Sequence, residues 1–405
     1  MKIKASLFLF LISLIGYSQS NKQSENSKSI DLESIPEFQF GKGVGFVAPD
    51  STFSMNMRFR IQNRLTYTKD EGEEETYQGE VKRLRLRFDG FIVDSRFLYA
   101  IQLSFAPGDV GVTIPGENVN IIRDAVVYYK PNDTWSFVFG QTKLPGNRQR
   151  INSSSALQFT DRTINNARFT IDRDFGIHAY YTKEYKDKFS YSFKSAISSG
   201  NGRNVTKNPD NGYALTGKIE LFPFGEFTKG GEFFEGDIKR EQTPKLMIST
   251  GFQRNVKARR TQGQTGSDLY EKRDLNSVFT DAMLKYKGWA FMAVYMNRST
   301  DNAITVNPLN LSQSRYVYVG EGFDYQMSYL FKNNIEVAGR FSTQDVATQI
   351  AELTPDLKQY SIGLTKYFWE HKFKMQTELT LDELNFLNGT TKNNWYLRFQ
   401  VEIGL

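Results

Sequence analysis

Residues 82–91 read KRLRLRFDGF, so that Arg83, Arg85 and Arg87 alternate with Leu84, Leu86 and Phe88. Guanidinium groups two residues apart share one face of an extended strand, whereas a helix would scatter them, so one face is cationic and the other apolar. Upstream, Arg58, Arg60 and Arg64 share a parity with Ser54, Asn56 and Gln62, while Phe53, Met55, Met57, Phe59, Ile61, Leu65 and Tyr67 take the other. A third set of cations, Lys143, Arg148, Arg150, Arg162, Arg168 and Arg173, lies in the long connection 142–173 with Asp161 and Asp172, and Asp174 follows directly. The chemistry open to such rows is electrostatic: fixed cations attract anions, and they repel one another unless carboxylates or passing anions offset them.

Covalent chemistry finds little support. The chain has two histidines, His178 in an expected strand and His371 in a short turn, neither near the outer rim where a substrate would arrive. There is no HExxH, no paired His at metal spacing, no EF-hand and no cysteine. The glycines of GKGVGF from Gly41 are not spaced as a dinucleotide fingerprint. No catalytic residue, metal or cofactor is expected, and the chain is read as a non-enzyme.

The elements that must position the cations follow from periodicity. Period-two segments recur near 53–67, 81–92, 95–106, 121–130, 135–141, 174–183, 188–198, 213–223, 244–255, 276–287, 289–298, 318–331, 334–342, 358–369, 372–382 and 394–405. That is about sixteen amphipathic strands, an even number as bacterial outer-membrane barrels have. Connections alternate between short (93–95, 131–134, 184–187, 288, 332–333, around 370) and long (70–80, 107–120, 142–173, 199–212, 256–275, 299–317, 343–357, 383–393), as periplasmic turns and external loops do. The segment 223–243 after Phe222 breaks the alternation and is expected to be an irregular turn; its Phe224, Phe227, Phe233 and Phe234 could also receive a periplasmic partner. Aromatic residues crowd the short turns, among them Tyr128, Tyr129, Trp135, Tyr181, Tyr185, Tyr286, Trp289, Tyr329, Tyr367, Phe368 and Trp369, the position of an interfacial girdle.

The N-terminus MKIKASLFLFLISLIGYSQS has a basic start, an apolar run and small residues after it, the pattern of an export signal. We assign 1–18 to a signal peptide, 19–50 to a periplasmic leader without a fold of its own, and 51–405 to the barrel. Removing Lys2 and Lys4 takes the formal charge from +6 to +4. No later stretch is long and apolar enough for a spanning helix. Export and lipid-facing strands together argue against nucleic acid as a partner.

Lipid fixes which way the arginines face. An Arg against lipid near the bilayer midplane costs about 2–4 kcal/mol, so three on one strand would cost roughly 6–12 kcal/mol, comparable to the stability of a whole domain. Arg83, Arg85, Arg87 and Asp89 are therefore expected in the lumen, beside Arg58, Arg60 and Arg64 of the preceding strand. Two readings stay open: an anion-conducting wall, or arginines paired with acidic loop residues such as Glu71, Glu73, Glu74 and Glu75 to brace the barrel. The loop 142–173 is too long for a plain connector and is expected to fold inward as a constriction.

The runs RLRLRFDG, DAVVYYKP, FVFGQTKLPGNRQR, RDFGIHAYY, TGKIELFPFG and IEVAGRFS, in this order, resemble the phosphate-selective porin O and P family, over nearly all of Phe53–Leu405. The resemblance implies a homotrimeric, sixteen-stranded porin of the Gram-negative outer membrane. An inward third external loop would form its constriction, and Arg58, Arg60, Arg64, Arg83, Arg85 and Arg87 with Lys143, Arg148, Arg150, Arg162 and Arg168 would line the anion path. Its partners would be outer-membrane lipid and small anionic or polar solutes. Phosphate is one such solute, although Lys143 stands almost alone in its loop and no lysine funnel is visible. The alternatives are a barrel serving as receptor or assembly component, or a barrel hydrolase.

Overall fold

The computed structural model describes residues 37–39, 43–50, 52–111, 120–185 and 187–405. Sixteen antiparallel strands form a closed barrel: β1 Ser54–Lys69, β2 Thr76–Ile92, β3 Asp94–Ser104, β4 Ile122–Tyr129, β5 Trp135–Lys143, β6 Arg173–Lys183, β7 Ser190–Ser198, β8 Tyr213–Phe222, β9 Lys245–Arg260, β10 Asp268–Tyr286, β11 Trp289–Ser299, β12 Gly320–Leu330, β13 Ile335–Val346, β14 Asp356–Trp369, β15 Phe373–Asn385 and β16 Thr391–Gly404. Each pairs with its neighbours in order, and β16 returns to β1 from Trp395↔Lys69 to Gly404↔Arg60. The sixteen segments read from periodicity are these strands. Several run on through stretches expected as loops: β9 and β10 reach 16 and 19 residues, leaving only 261–267 between them.

The expected signal peptide lies outside the described residues. The leader differs from expectation, because Gly43–Val47 pairs with Ser54–Met57 of β1, and Glu37–Gln39 pairs in turn with Gly43–Gly45. The physical reason is at the seam. Strand β16 stops opposite Arg60, so the first residues of β1 would otherwise present unpaired backbone groups, which are costly wherever water is absent.

Residues of one parity face outward, including Leu65, Ile177, Ile197 and Ile362, all well exposed on the outer surface. Near the short turns the outward aromatics pair across strands, as Trp135 does with Tyr181 (ring centroids 5.0 Å apart) and Trp289 with Tyr329 (4.7 Å). Tyr128 and Tyr367 are not part of this girdle: Tyr128 packs its half-buried ring over Val126 on the lumenal face, and Tyr367 is buried and donates to Glu336 inside the barrel.

The lumen is not uniformly polar. Leu275, Phe279 and Met283 of β10 and Met292, Val294 and Met296 of β11 point inward and are almost fully buried, clustered with Leu144, Phe169 and Ile171 of the third external connection, 144–172, and with Phe227 of the segment 223–244. Within those strands apolar residues occupy both faces, one against lipid and one against an internal core. Ile362 lies at the middle of β14 on the lipid side. Ile362→Arg is expected to lower stability by about 2–4 kcal/mol in denaturant titrations of the vesicle-inserted protein followed by Trp fluorescence. Leu353→Arg, at an exposed position of the connection 347–355, should change it by no more than about 0.5 kcal/mol.

Candidate functional site

The connection 144–172 is built as an internal element. It carries a helical turn α1 at Arg148–Ile151, a 3-10 turn at Ser154–Ala156 and a short helix α2 at Ile164–Phe169. Thr163 caps α2 by accepting from Asn166 N at 3.1 Å, while its hydroxyl donates to Asp324 at 2.8 Å. A loop so placed has backbone groups that water cannot reach, and inward side chains of the barrel supply their partners. Lys218 Nζ donates to Gly146 O (2.7 Å), Lys374 Nζ to Leu157 O (2.6 Å), Arg340 to Asp161 O (3.1 Å), and Arg298 to the carbonyls of Arg168, Phe169 and Thr170. Carboxylates do the converse: Asp281 accepts from Arg148 N (2.9 Å) and Glu378 from Thr160 N (2.8 Å). Space is cleared by glycine at the closest approach, where a Cβ on Gly322 would stand 2.0 Å from Asn165 Oδ1.

The segment 223–244 is a second internal element, not an irregular turn. Lys285 Nζ holds the carbonyls of Gly231, Phe234 and Gly236 at 2.7–2.9 Å, and Phe234 stacks on His371. At its apex Glu235, almost fully buried, meets the third loop: its N–H donates to Ala156 O, and its carboxylate accepts from Gln149 Nε2 and Gln158 N, each at 2.9 Å. Loop and segment together occupy the side of the lumen walled by β8–β15. Phe227 and Phe234 are thereby used internally, which removes them from any periplasmic docking surface.

On the other side the cations gather. A 290 Å³ cavity lies between the loop and β2–β6, lined by Arg85, Arg87, Arg123, Lys143, Arg150, Arg162 and Arg173, with Asp124 the one carboxylate among its lining residues. Arg85 and Arg123 share Asp109 (2.9 and 2.6 Å), Arg150 pairs with Asp172, and Arg173 holds Asp124 through two nitrogens at 2.9 and 3.1 Å. Lys143 and Arg162 are held differently. Lys143 Nζ donates to the carbonyls of Ile151 and Asn152, and Arg162 to those of Gln149 and Asn152; among the described residues neither forms an ion pair. Their charge is oriented but not directly cancelled.

Beside this cavity Asp161 gathers Arg64 and Arg83 at 3.3 Å and Lys82 at 3.6 Å, while Arg64 and Lys82 also reach Glu80. Arg60 donates to Ser153 and Ser154, and Arg58 and Arg87 both pair with Asp89. Outside the strands, burial pushes the carboxyls of Asp161, Asp172 and Asp109 up. The cations around them more than offset this and hold all three well below the usual carboxylate range: chiefly Arg83 and Lys82 for Asp161, Arg150 and Arg173 for Asp172, and Arg85 and Arg123 for Asp109.

The expected residues therefore separate. Arg85, Arg87, Lys143, Arg150 and Arg162 meet at one cavity. Arg60, Arg64 and Arg83 stand just beside it, and Arg58 is farther along the wall. Arg148 is buried against Glu220, and Arg168 is exposed, its guanidinium over the Tyr318 ring at 5.0 Å, away from the cavity. The acidic residues that brace the wall include Glu80, Asp89, Asp109, Asp124, Asp161, Asp172 and Glu402, the last paired with Arg60 at 3.5 Å. Glu71, which had been expected in that role, accepts instead from Asn393 N at the outer end of β16.

Two cations escaped the parity argument because β-bulges turn them inward. Gln62 pairs with Arg83 and Asn63 with Val81, so Lys82 is skipped; Gln102 pairs with Asp124 and Leu103 with Ile122, so Arg123 is skipped. The signal available in the sequence is a break in alternation beside a charged pair, KR at 82–83 and RD at 123–124.

Residues 53–226, less than half of the chain, match the family model for phosphate-selective porin O and P, a shorter stretch than the resemblance suggested. Among curated proteins no sequence match was found. Solved structures with the same fold include the outer-membrane channel DcaP of Acinetobacter baumannii (12% identity, 89% of this chain and 99% of that one, TM-score 0.55), Salmonella typhi OmpF in complex with daunomycin (11%, 88% and 100%, 0.53) and an anion-selective porin from Comamonas acidovorans (11%, 87% and 100%, 0.52). At these identities they establish the fold. The family match and the lipid-facing barrel place the chain in the outer membrane of a Gram-negative bacterium, as a channel-type protein.

A carboxyl whose folded value is depressed contributes stability that is fully present above its unfolded value, about 3.9 for Asp, and lost as pH falls through the folded value. The hold of these three carboxylates on the loop is therefore expected to be intact at and above about pH 5, and any change of conductance they cause is expected only below about pH 4, as Asp161, Asp172 and Asp109 take up protons and release the loop. Single-channel recording across this range checks it.

Proposed function

We propose that the protein is a porin through which small hydrophilic anions diffuse passively, phosphate among them, with selectivity set in the cavity between the third loop and β2–β6. The observation that carries this reading is the lining of that cavity, seven cations to one carboxylate, with Lys143 and Arg162 held by carbonyls alone. Backbone carbonyls fix a cation in position with only partial charges, so its field still reaches a solute. Low-dielectric walls focus such a field and raise the local anion concentration. The carboxylates paired to the remaining arginines limit binding strength, and conduction needs a site weak enough to release.

Among the described residues His178 bonds to the Tyr180 hydroxyl and His371 packs against Phe234 and Tyr367, contacts that lend the hydrolase alternative no support. The segment that could have served a receptor or assembly role is folded into the lumen. The porin reading extends to a homotrimer on family resemblance, and native mass spectrometry of the detergent-extracted protein tests that separately.

The decisive experiment is reversal potential across a planar bilayer under a potassium chloride gradient. The wild type is expected to favour anions. Lys143→Gln with Arg162→Gln should lower the anion-to-cation permeability ratio several-fold, whereas Asp161→Asn, which frees Lys82, Arg83 and Arg64 from their shared carboxylate, should raise it. An unselective wild-type channel, or a ratio indifferent to both changes, would refute the anion reading.

A further inference from the structure

A barrel lumen facing water is expected to be polar, and two regions of this one are not. The first, on β9–β11, is covered by the third loop and segment 223–244. The second has no such cover. Ala100, Val126 and Val138 form an apolar island on the lumenal face of β3–β5, with the half-buried rings of Tyr128 and Tyr180 packed over them. Those rings line a second cavity of 490 Å³, together with Leu98 of β3 and Phe222 of β8. From the opposite side segment 223–244 contributes Phe233, 46% exposed even though its neighbours Phe227 and Phe234 are both used in packing. The Arg148 guanidinium lies 5.5 Å from the Phe233 ring centroid. This cavity adjoins the cationic one, since Arg87, Ala100, Tyr128 and Tyr180 line both.

We infer that the preferred solutes are organic anions carrying a compact apolar or aromatic body, such as aryl phosphates, rather than bare inorganic oxyanions. The anionic group sits among the arginines and the body lies between the Tyr128/Tyr180 wall and Phe233. This rests on the anion reading above and names the solute class for the same path. Apolar surface left in water is unfavourable in proportion to its area, and a solute's ring that removes it from water gains affinity that phosphate alone cannot. Aromatic side chains on both sides suit a flat body. The charges lining this cavity balance, four cations to four carboxylates with Arg148 and Lys194 both paired to Glu220, so the excess positive charge that draws the anionic group lies in the adjoining cavity.

The test compares inorganic phosphate with phenyl phosphate as blockers of chloride current through single wild-type channels at about pH 8, where both are dianions. Phenyl phosphate is expected to half-block at a concentration at least about tenfold lower, and Phe233→Ala and Leu98→Ser, on opposite walls, should each narrow that ratio. Assembly of each variant is checked by its heat-modifiable electrophoretic mobility, and the wild-type comparison decides by itself if a variant fails to assemble. Equal block, or stronger block by inorganic phosphate, in an anion-preferring channel overturns the solute class and leaves the anion reading standing. A channel with no anion preference that neither compound blocks overturns both.

Discussion

The structure depends on the capture of the third loop's backbone by ionic side chains of the barrel interior. Lipid outside the barrel turns most charged side chains of the strands inward, outward ones such as Arg254 and Lys358 being paired with Asp274 and Glu383, and a lumen sixteen strands wide would leave the inward ones around an open aqueous channel. Here Lys218, Arg298, Arg340 and Lys374 are aimed at loop carbonyls, and Asp281, Asp324 and Glu378 at loop N–H, hydroxyl and amide groups. Charge-assisted hydrogen bonds are stronger than neutral ones, and a buried backbone group left unpaired is costly. The loop is thus fixed in one place by the same charges that lipid excludes.

From that placement follows a lumen with two unlike sides. Opposite the loop's anchorage, the inward cations of β2–β6 other than Lys143 meet carboxylates, loop hydroxyls or open space instead of loop backbone. Segment 223–244 completes the division: Lys285 holds it as Lys374 holds the loop, and Glu235 joins the two internal elements. A wall of arginines is therefore not functional by composition alone. Arg298 and Arg340 are as inward as Arg85 and Arg87, yet their donors are occupied by the loop.

This explains which parts of the molecule were legible in the sequence. Strands were, because lipid on one side imposes a strict period of two, and the orientation of Arg83, Arg85 and Arg87 followed from the cost of the opposite choice. Lys82 and Arg123 were not, because a bulge inverts parity for one residue without altering composition. The contents of the lumen were only faintly visible. WAFMAVYM at 289–296 is apolar on both faces, which a strand between lipid and water would not be. That stretch carried the information that something covers it. Which element covers it depends on contacts between residues more than a hundred apart, as with Arg298 and the carbonyl of Phe169, and local pattern does not encode these. Arg168 illustrates the same limit, since helix α2 turns it to solvent beside Tyr318.

Ion pairing and anion attraction do not compete in the cationic cavity in the way an isolated pair would suggest. Asp109, Asp161 and Asp172 come from connections outside the strands, and each is shared by two or three cations. Sharing leaves the group as a whole positive while relieving the closest repulsions, so the cations keep fixed positions without a bound anion. A site of unpaired arginines would have to hold an anion permanently to be stable, and a fully neutralised one would attract nothing. The shared carboxylates place this site between those limits, with Lys143 and Arg162, tied to carbonyls, supplying the charge that is left over.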